Sequence, residues 1–166
     1  MLYGCNVWGL TSEKNLNIIE VLQKKCLRIL TFSDFNTHTN KLFADLKLLK
    51  FRDIIRSQQL KLVYNFKNQD LPDDLSNLFD LVSDKHAHQT RSAVNNSLYI
   101  PKIKTSNYGL KSLKYQCPTQ WNLLKNKIVI DHKNQTCVPI NEIRNKNHFN
   151  ETIKQHFIDF YANAVE

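Results

Sequence analysis

The clearest helical pattern of the chain lies in SEKNLNIIEVLQKKCLRILTF, residues 12–32. Its apolar residues recur at three- and four-residue steps, which is the spacing of one face of an α-helix. Ser12 is a residue type that caps helices, and Glu13 suits the positive N-terminal end of the helix dipole. The pattern predicts a helix from Ser12 to about Phe32. It also predicts that these residues turn toward the core: Leu16, Ile19, Val21, Leu22, Cys26, Ile29 and Leu30.

The same periodicity predicts three further helices along the chain. A short one follows Thr39 as far as Leu46, a long one covers 51–67, and a closing one covers 149–162. Pro72 ends the long helix, because proline has no backbone N–H and disfavours helix just before it. We expect one or two turns between Pro72 and Phe79.

The character of the sequence changes after residue 80. Residues 98–104 alternate and are rich in β-formers, which predicts an edge strand because Pro101 cannot donate to a neighbour. After this strand we expect a turn at 107–109 and a return strand over 110–115. We then expect a helix from about Pro118 and a loop over 126–147. The predicted fold is mainly α: a helical unit over 1–80, then a basic loop, a short β-hairpin and C-terminal helices over 81–166.

Charge is spread unevenly along the chain. The formal net charge is +8, which favours an anionic partner through long-range attraction. Residues 70–84 hold five acids and no bases, whereas residues 85–127 hold eight bases and no acid. A solvated basic surface is the simplest interpretation of the second stretch, and an anion-binding surface is the alternative.

The sequence offers no convincing catalytic or metal-binding pattern. The string Phe43-Ala44-Asp45-Leu46 lacks the second aspartate of a polymerase metal site, and the acids of 70–84 lack EF-hand spacing. The histidines and cysteines form no Cys-x-x-Cys pair, and there is no glycine-rich phosphate loop. We therefore expect no cofactor, no bound metal and no enzymatic activity of its own.

The expected compartment is intracellular, either nucleus or cytoplasm. The N-terminus does not resemble a signal peptide, and no apolar run approaches the roughly 18 residues of a membrane span. We therefore expect no membrane association and cysteines that are thiols. Cys26, within an apolar helical pattern, is expected in the core.

Basic and aromatic residues interleave between 86 and 121. Lysine and arginine neutralise phosphates, and aromatic rings stack on unpaired bases, so the pattern predicts nucleic-acid binding. Two alternatives remain: the aromatic residues, above all Trp121, form core, and Arg91 is a tether to Asp80 and Asp84. The candidate binding residues are Arg91, Lys102, Lys104, Lys111 and Lys114, with Lys24 and Arg28 on the first long helix.

The order of short motifs resembles one protein family. The motifs are Tyr3-Gly4, Trp8-Gly9, Leu22-Gln23, Leu27-Arg28-Ile29, Thr37-His38, Leu48-Leu49-x-Phe51-x-Asp53-Ile54, Tyr64-x-Phe66, Leu71-Pro72, Thr90-Arg91-Ser92, Tyr108-Gly109-x-x-Ser112-Leu113 and Pro118-x-x-Trp121-Asn122. They resemble the segment after the palm in reverse transcriptases of non-LTR retrotransposons, the jockey-like LINE elements. Cys117 departs from the usual glycine, and the proline that often follows Leu124 is missing.

The resemblance implies a thumb-like unit over 1–80 that helps to cradle template and primer. The catalytic aspartates of the palm are not in this chain, so the implied role is non-catalytic. The implied partners are RNA or DNA, bound without sequence preference, and the palm of a reverse transcriptase.

Two other functions remain open on the sequence. The helices of 12–67 form a protein-interaction module, or the chain is an inert product of a degenerate reading frame. An exposed apolar stripe on helix 12–32 favours the interaction module, whereas a continuous basic face favours nucleic-acid binding.

Overall fold

The computed structural model describes residues 4–85, 88, 90–106, 108–124, 128–131 and 136–163. The described chain is mainly α-helical, as predicted. Two 3-10 turns, Asp73–Leu75 and Ile140–Glu142, lie between longer elements. The elements are α1 Cys5–Trp8, α2 Glu13–Leu30, α3 Thr39–Asp45, α4 Phe51–Lys67, α5 Val82–Lys85, α6 Arg91–Val94, α7 Leu113–Leu124, β1 Ile128–Asp131, β2 Thr136–Pro139 and α8 Lys146–Asn163.

The chain divides into two compact units. The first comprises Met1–Ser57 and Ile128–Glu166, and the second comprises Gln58–Lys127. This division differs from the sequence-based one at residue 80, because α8 returns to pack against α3 and β1. Long-range packing of this kind leaves no local mark in the sequence.

The first unit is held by contacts between α1, α2 and α4. Cys5, Leu16, Phe51 and Ile55 form a buried cluster, and the Trp8 ring stacks on Phe51 with centroids 5.5 Å apart. A side-chain amide fixes the start of α4. Gln23 donates to the Leu49 carbonyl at 2.9 Å and accepts from the Phe51 backbone N–H at 2.7 Å.

The predicted extent of α2 is confirmed, but several residues predicted to face the core do not. Ser12 is the N-cap and accepts from the Asn15 backbone N–H at 3.5 Å. Leu16 and Leu27 are buried and Ile19 is half-buried, so one apolar face meets the core. A second set expected inward is exposed because it lies on another side of the helix: Val21, Leu22, Cys26, Ile29 and Leu30.

The closing helix α8 begins three residues earlier than predicted. Ile153, Phe157 and Tyr161 are buried, whereas Phe160 is exposed. The Tyr161 ring meets the edge of Phe43 on α3, with centroids 6.2 Å apart. This contact joins the two chain segments of the first unit.

The predicted hairpin at 98–116 is wrong. Leu98 forms only an isolated antiparallel bridge with Leu81, and its backbone N–H and carbonyl are both bonded to the Asn122 side chain at 3.1 and 2.8 Å. These partners leave Leu98 unable to pair with a return strand. Helix α7 starts at Leu113, so Pro118 lies inside it and is buried.

A two-stranded antiparallel sheet forms in a different place. Strand β1 pairs with β2 in the register Val129 to Val138 and Ile130 to Cys137. The sequence predicted a loop over 126–147 instead. The β-branched run at 128–130 was the available signal for a strand.

Four helix ends share a backbone motif with an unusual residue. In each, the chain turns through a left-handed position closed by two backbone hydrogen bonds, the Schellman arrangement that normally uses glycine. After α2, for example, Ser33 donates to Arg28 at 3.0 Å and Phe32 donates to Ile29 at 3.2 Å. The left-handed residues are Phe32, Lys47, Gln69 and Asn96, with φ of 50°, 52°, 59° and 48°.

Candidate nucleic-acid interface

A tight reversal between 103 and 109 shapes the basic stretch. Gly109 donates its N–H to the Thr105 carbonyl at 3.1 Å and to Thr105 Oγ1 at 3.2 Å. A Cβ on Gly109 would fall 2.0 Å from Ile103 Cγ2, so only glycine fits against Ile103. The reversal therefore brings the residues that flank Ile103 close to those that follow Gly109.

Four lysines flank this reversal, and we call them the basic turn. Lys102 and Lys104 lie on either side of Ile103 and are exposed. Lys111 is half-buried, and Lys114 is exposed in the first turn of α7. None of the four forms an ion pair with a described residue. Their positive charge is therefore available to a ligand.

The position of Lys114 adds to the positive field. The N-terminal end of a helix carries a partial positive charge, so a lysine there is mildly unfavourable for folding and favourable for an anion. Ser112 precedes the helix and donates its hydroxyl to the Gly109 carbonyl at 2.8 Å, which links the turn to α7.

The segment before the basic turn is held on two sides. On one side, Asn122 of α7 bonds the Leu98 backbone. On the other, the backbone N–H of Tyr99 donates to the Asp80 carbonyl at 2.8 Å, and the backbone N–H of Val82 donates to the Ser97 carbonyl at 3.0 Å. The backbone that enters the basic turn is therefore anchored to α7 and to residues 80–82.

Arg91 is exposed on the first residue of α6, where Thr90 accepts from the Ala93 backbone N–H at 3.3 Å. The structure contradicts the alternative in which Arg91 is a tether. Asp80 pairs with Lys85 at 3.2 Å, and Asp84 accepts from the Ser83 hydroxyl at 3.1 Å. Arg91 therefore remains a candidate for phosphate contact.

The two candidate residues on α2 are engaged within the protein. Lys24 pairs at 2.7 Å with Glu20, which lies one helical turn earlier and neutralises its charge. Arg28 donates from Nε and Nη2 to the Thr37 carbonyl at 3.2 and 3.1 Å, and it lies over the Phe35 ring. Arg28 therefore anchors the loop after α2, and both residues are less available to a ligand than the basic turn.

The aromatic residues divide into core and surface. Trp121 is buried and lies under Lys67, with the ammonium 5.3 Å from the ring centroid, so it is core. Tyr99 and Tyr115 are half-buried. Tyr108 is 84% exposed within the reversal of the basic turn. Its ring is the best placed to stack on an unpaired base.

Neither a metal-ligand cluster nor a membrane-spanning helix occurs among the described residues. Within the described ranges, no three side chains among histidine, cysteine, aspartate and glutamate converge as a metal site. Two of the histidines, His86 and His132, lie outside those ranges. In the same ranges, every helix is too short or too polar to cross a bilayer.

Comparison with known proteins finds no protein-family model, curated protein or solved structure that matches this chain. The similarity to non-LTR reverse transcriptases therefore stays a prediction from motif order.

Sequence reasoning missed the exposed apolar side of α2. The signal was present, because apolar residues occupy too wide an arc of the helix to meet one core. This exposed stripe is also the feature that favours a protein partner.

Proposed function

We propose that this chain is a non-catalytic nucleic-acid-binding segment that holds the sugar–phosphate backbone through the basic turn. The observation that carries the proposal is the close approach of the Ile103 side chain to Gly109, which brings the segment that carries Lys102 and Lys104 next to the residue two positions before Lys111. Phosphate neutralisation by lysine is independent of sequence, so RNA and DNA are both expected ligands.

Two further features support the proposal. No acid occurs between 85 and 127 to neutralise the lysines locally. Tyr108 offers an exposed ring beside them, which favours single-stranded over duplex ligands. The resemblance to reverse transcriptases is consistent with this role, as a segment that grips template and primer beside a separate palm.

The test is a binding titration of the purified chain against single-stranded RNA, duplex DNA and an RNA–DNA hybrid. We expect a dissociation constant on the order of 10⁻⁶–10⁻⁴ M at physiological salt. The double variant Lys102→Ala/Lys104→Ala should bind more weakly to all three. The control Lys14→Ala/Lys25→Ala removes the same charge from α2 and should bind as the parent does. Equal losses in the two variants would show a general charge effect and refute the basic turn.

A second candidate function is protein docking through α2. The exposed apolar residues of that helix favour it, because contiguous exposed apolar surface marks interaction sites. The two functions use different residues and are compatible.

A further inference from the structure

Helix α2 carries a second apolar face on the side away from its buried residues. At 3.6 residues per turn, Ile18, Leu22 and Ile29 lie within about 40° of one another and roughly 140–180° from Leu27. We call this face the apolar stripe. Its members are Ile18, Val21, Leu22, Cys26 and Ile29, and the four aliphatic side chains are 54%, 50%, 53% and 73% exposed.

The only charges on the apolar stripe are positive. Lys14 and Lys25 lie on the same face as Ile18 and are exposed. The two acids of α2 lie on the other side, where Glu13 and Glu20 pair with Arg52 at 2.8 and 2.9 Å. Lys25 therefore interrupts the apolar surface with a charge that no acid on α2 balances.

The apolar surface continues past the end of the helix. Phe32 is 98% exposed and has a left-handed backbone with φ of 50°. A left-handed position favours glycine, and a bulky side chain there is costly. The chain thus presents a large aromatic ring to solvent at a position where glycine would be more stable.

We propose that the apolar stripe docks an amphipathic helix of another protein, whose apolar face carries carboxylates that pair with Lys14 and Lys25. The two lysines are eleven residues apart, which is about 16 Å along the helix. The partner should therefore present two acids about three turns apart, with apolar residues between them. This inference deepens the second candidate function and does not rest on nucleic-acid binding.

Charge complementarity selects this partner over two others. A second copy of α2 brings no carboxylate to the stripe, so it would bury Lys25 without an opposite charge, which is costly. An anionic membrane is best matched by lysines at the margins of an apolar face, where they reach the headgroups. Lys25 lies between Leu22 and Ile29 instead, where a single facing carboxylate fits.

The test uses a synthetic amphipathic helix of about 21 residues as the probe, titrated into the full chain. The probe has leucines along one face and two glutamates on that face, eleven residues apart. The control probe has lysines in place of the glutamates. We expect the glutamate probe to bind at least about tenfold more tightly, and Lys25→Glu to abolish the preference because each probe then faces one opposite and one like charge.

Variants separate the apolar contribution from the charges. Leu22→Ser and Ile29→Ser should each weaken the glutamate probe by about tenfold, and circular dichroism should show the parent helix content because both side chains are exposed. The control Lys102→Ala/Lys104→Ala should leave probe binding unchanged while it weakens RNA binding. Loss of RNA binding by that variant with probe binding intact shows that the two proposals stand or fall separately.

Several results would overturn the inference. If the two probes bind with equal affinity, or if neither binds, the proposal of a partner helix with carboxylates is refuted. Binding to phosphatidylcholine–phosphatidylserine vesicles without binding of the glutamate probe would assign the stripe to membranes. Dimerisation in sedimentation that Leu22→Ser abolishes would assign it to a second copy of the chain.

Discussion

The hydroxyl of Tyr161 donates a hydrogen bond of 2.5 Å to Oδ2 of Asp53, and the two residues are 108 positions apart. The same hydroxyl oxygen accepts the Lys50 backbone N–H at 3.2 Å, and the Lys50 ammonium lies 4.2 Å from the ring centroid. Burial, together with the neighbouring Asp53 carboxyl, raises the pKa of Tyr161 above its ordinary range. The tyrosine therefore stays a proton donor that fastens α8 to the start of α4.

Replacing Tyr161 by phenylalanine should destabilise the protein. Asp53 would keep its ion pair with Arg56, whose Nη1 lies 2.9 Å from Oδ1. Its other oxygen, Oδ2, would lose its hydrogen-bond donor although Asp53 is buried. The expected loss in the free energy of unfolding is about 1–3 kcal/mol, measured by urea denaturation. The control Tyr108→Phe removes an exposed hydroxyl and should change stability little. Similar losses in both would contradict the Tyr161–Asp53 tie.

The ion pairs of Glu20 make the stability of the fold depend on pH in the acidic range. Hydrogen bonding to Lys24, followed by that to Arg52, lowers the pKa of Glu20 below its ordinary value. A lowered folded-state pKa contributes stability above the unfolded pKa, near 4.3, and that stability is lost as the pH falls through the folded value.

Glu20→Gln should therefore cost up to about 1 kcal/mol at pH 7 and progressively less below pH 4. Denaturation midpoints of parent and variant across that range measure the difference. Glu13→Gln is the matched control and should have a smaller effect, because its side chain is 68% exposed against 23% for Glu20. A Glu20→Gln effect that is the same at pH 7 and pH 3 would refute the linkage.

Phe32→Gly should stabilise the fold and weaken docking. Glycine relieves the left-handed backbone after α2, with an expected gain of about 1 kcal/mol in the free energy of unfolding. Lys47→Gly, at the equivalent position after α3, should give a similar gain with no effect on the glutamate probe. If Phe32→Gly lowered the melting temperature while Lys47→Gly raised it, the ring would belong to the fold and not to a docking surface.

The chain alone should not extend a primer on an RNA template with magnesium or manganese. The physical reason is that two-metal phosphoryl transfer needs converging carboxylates, and the sequence offers no such pattern. Incorporation of labelled nucleotides is the measurement. Template-dependent extension by the purified chain would contradict the non-catalytic assignment.

Local sequence patterns predicted the long helices. They failed where a segment's structure depends on residues far away in the sequence. The periodicity of 51–67 predicts α4 with its observed ends, Phe51 and Lys67. The hairpin failed because Asn122, 24 residues away, occupies the Leu98 backbone. For α2, periodicity located the apolar residues but could not show that the Leu27 side is buried and the Leu22 side exposed, since that depends on tertiary contacts.

The candidate site was predicted in part for the same reason. The absence of acids between 85 and 127 is visible in the sequence, and it singles out the four lysines of the basic turn. The sequence predicted a turn ending at Gly109 but placed the lysines on the strands of a hairpin, whereas the structure has a reversal closed on Thr105 and a helix from Leu113. The hydrogen bonds from Arg28 to the Thr37 carbonyl are likewise tertiary contacts that the sequence pattern does not show.

The salt dependence of duplex DNA binding reports how many phosphates the basic turn contacts. Counterion release predicts that the logarithm of the association constant falls linearly with the logarithm of salt, by about 0.9 for each phosphate contacted. We predict that Lys102→Ala/Lys104→Ala reduces this slope by up to about two contacts, and that Lys14→Ala/Lys25→Ala leaves it unchanged. An affinity that stays flat from low to high salt, or a slope unaltered by loss of Lys102 and Lys104, would contradict binding through the basic turn.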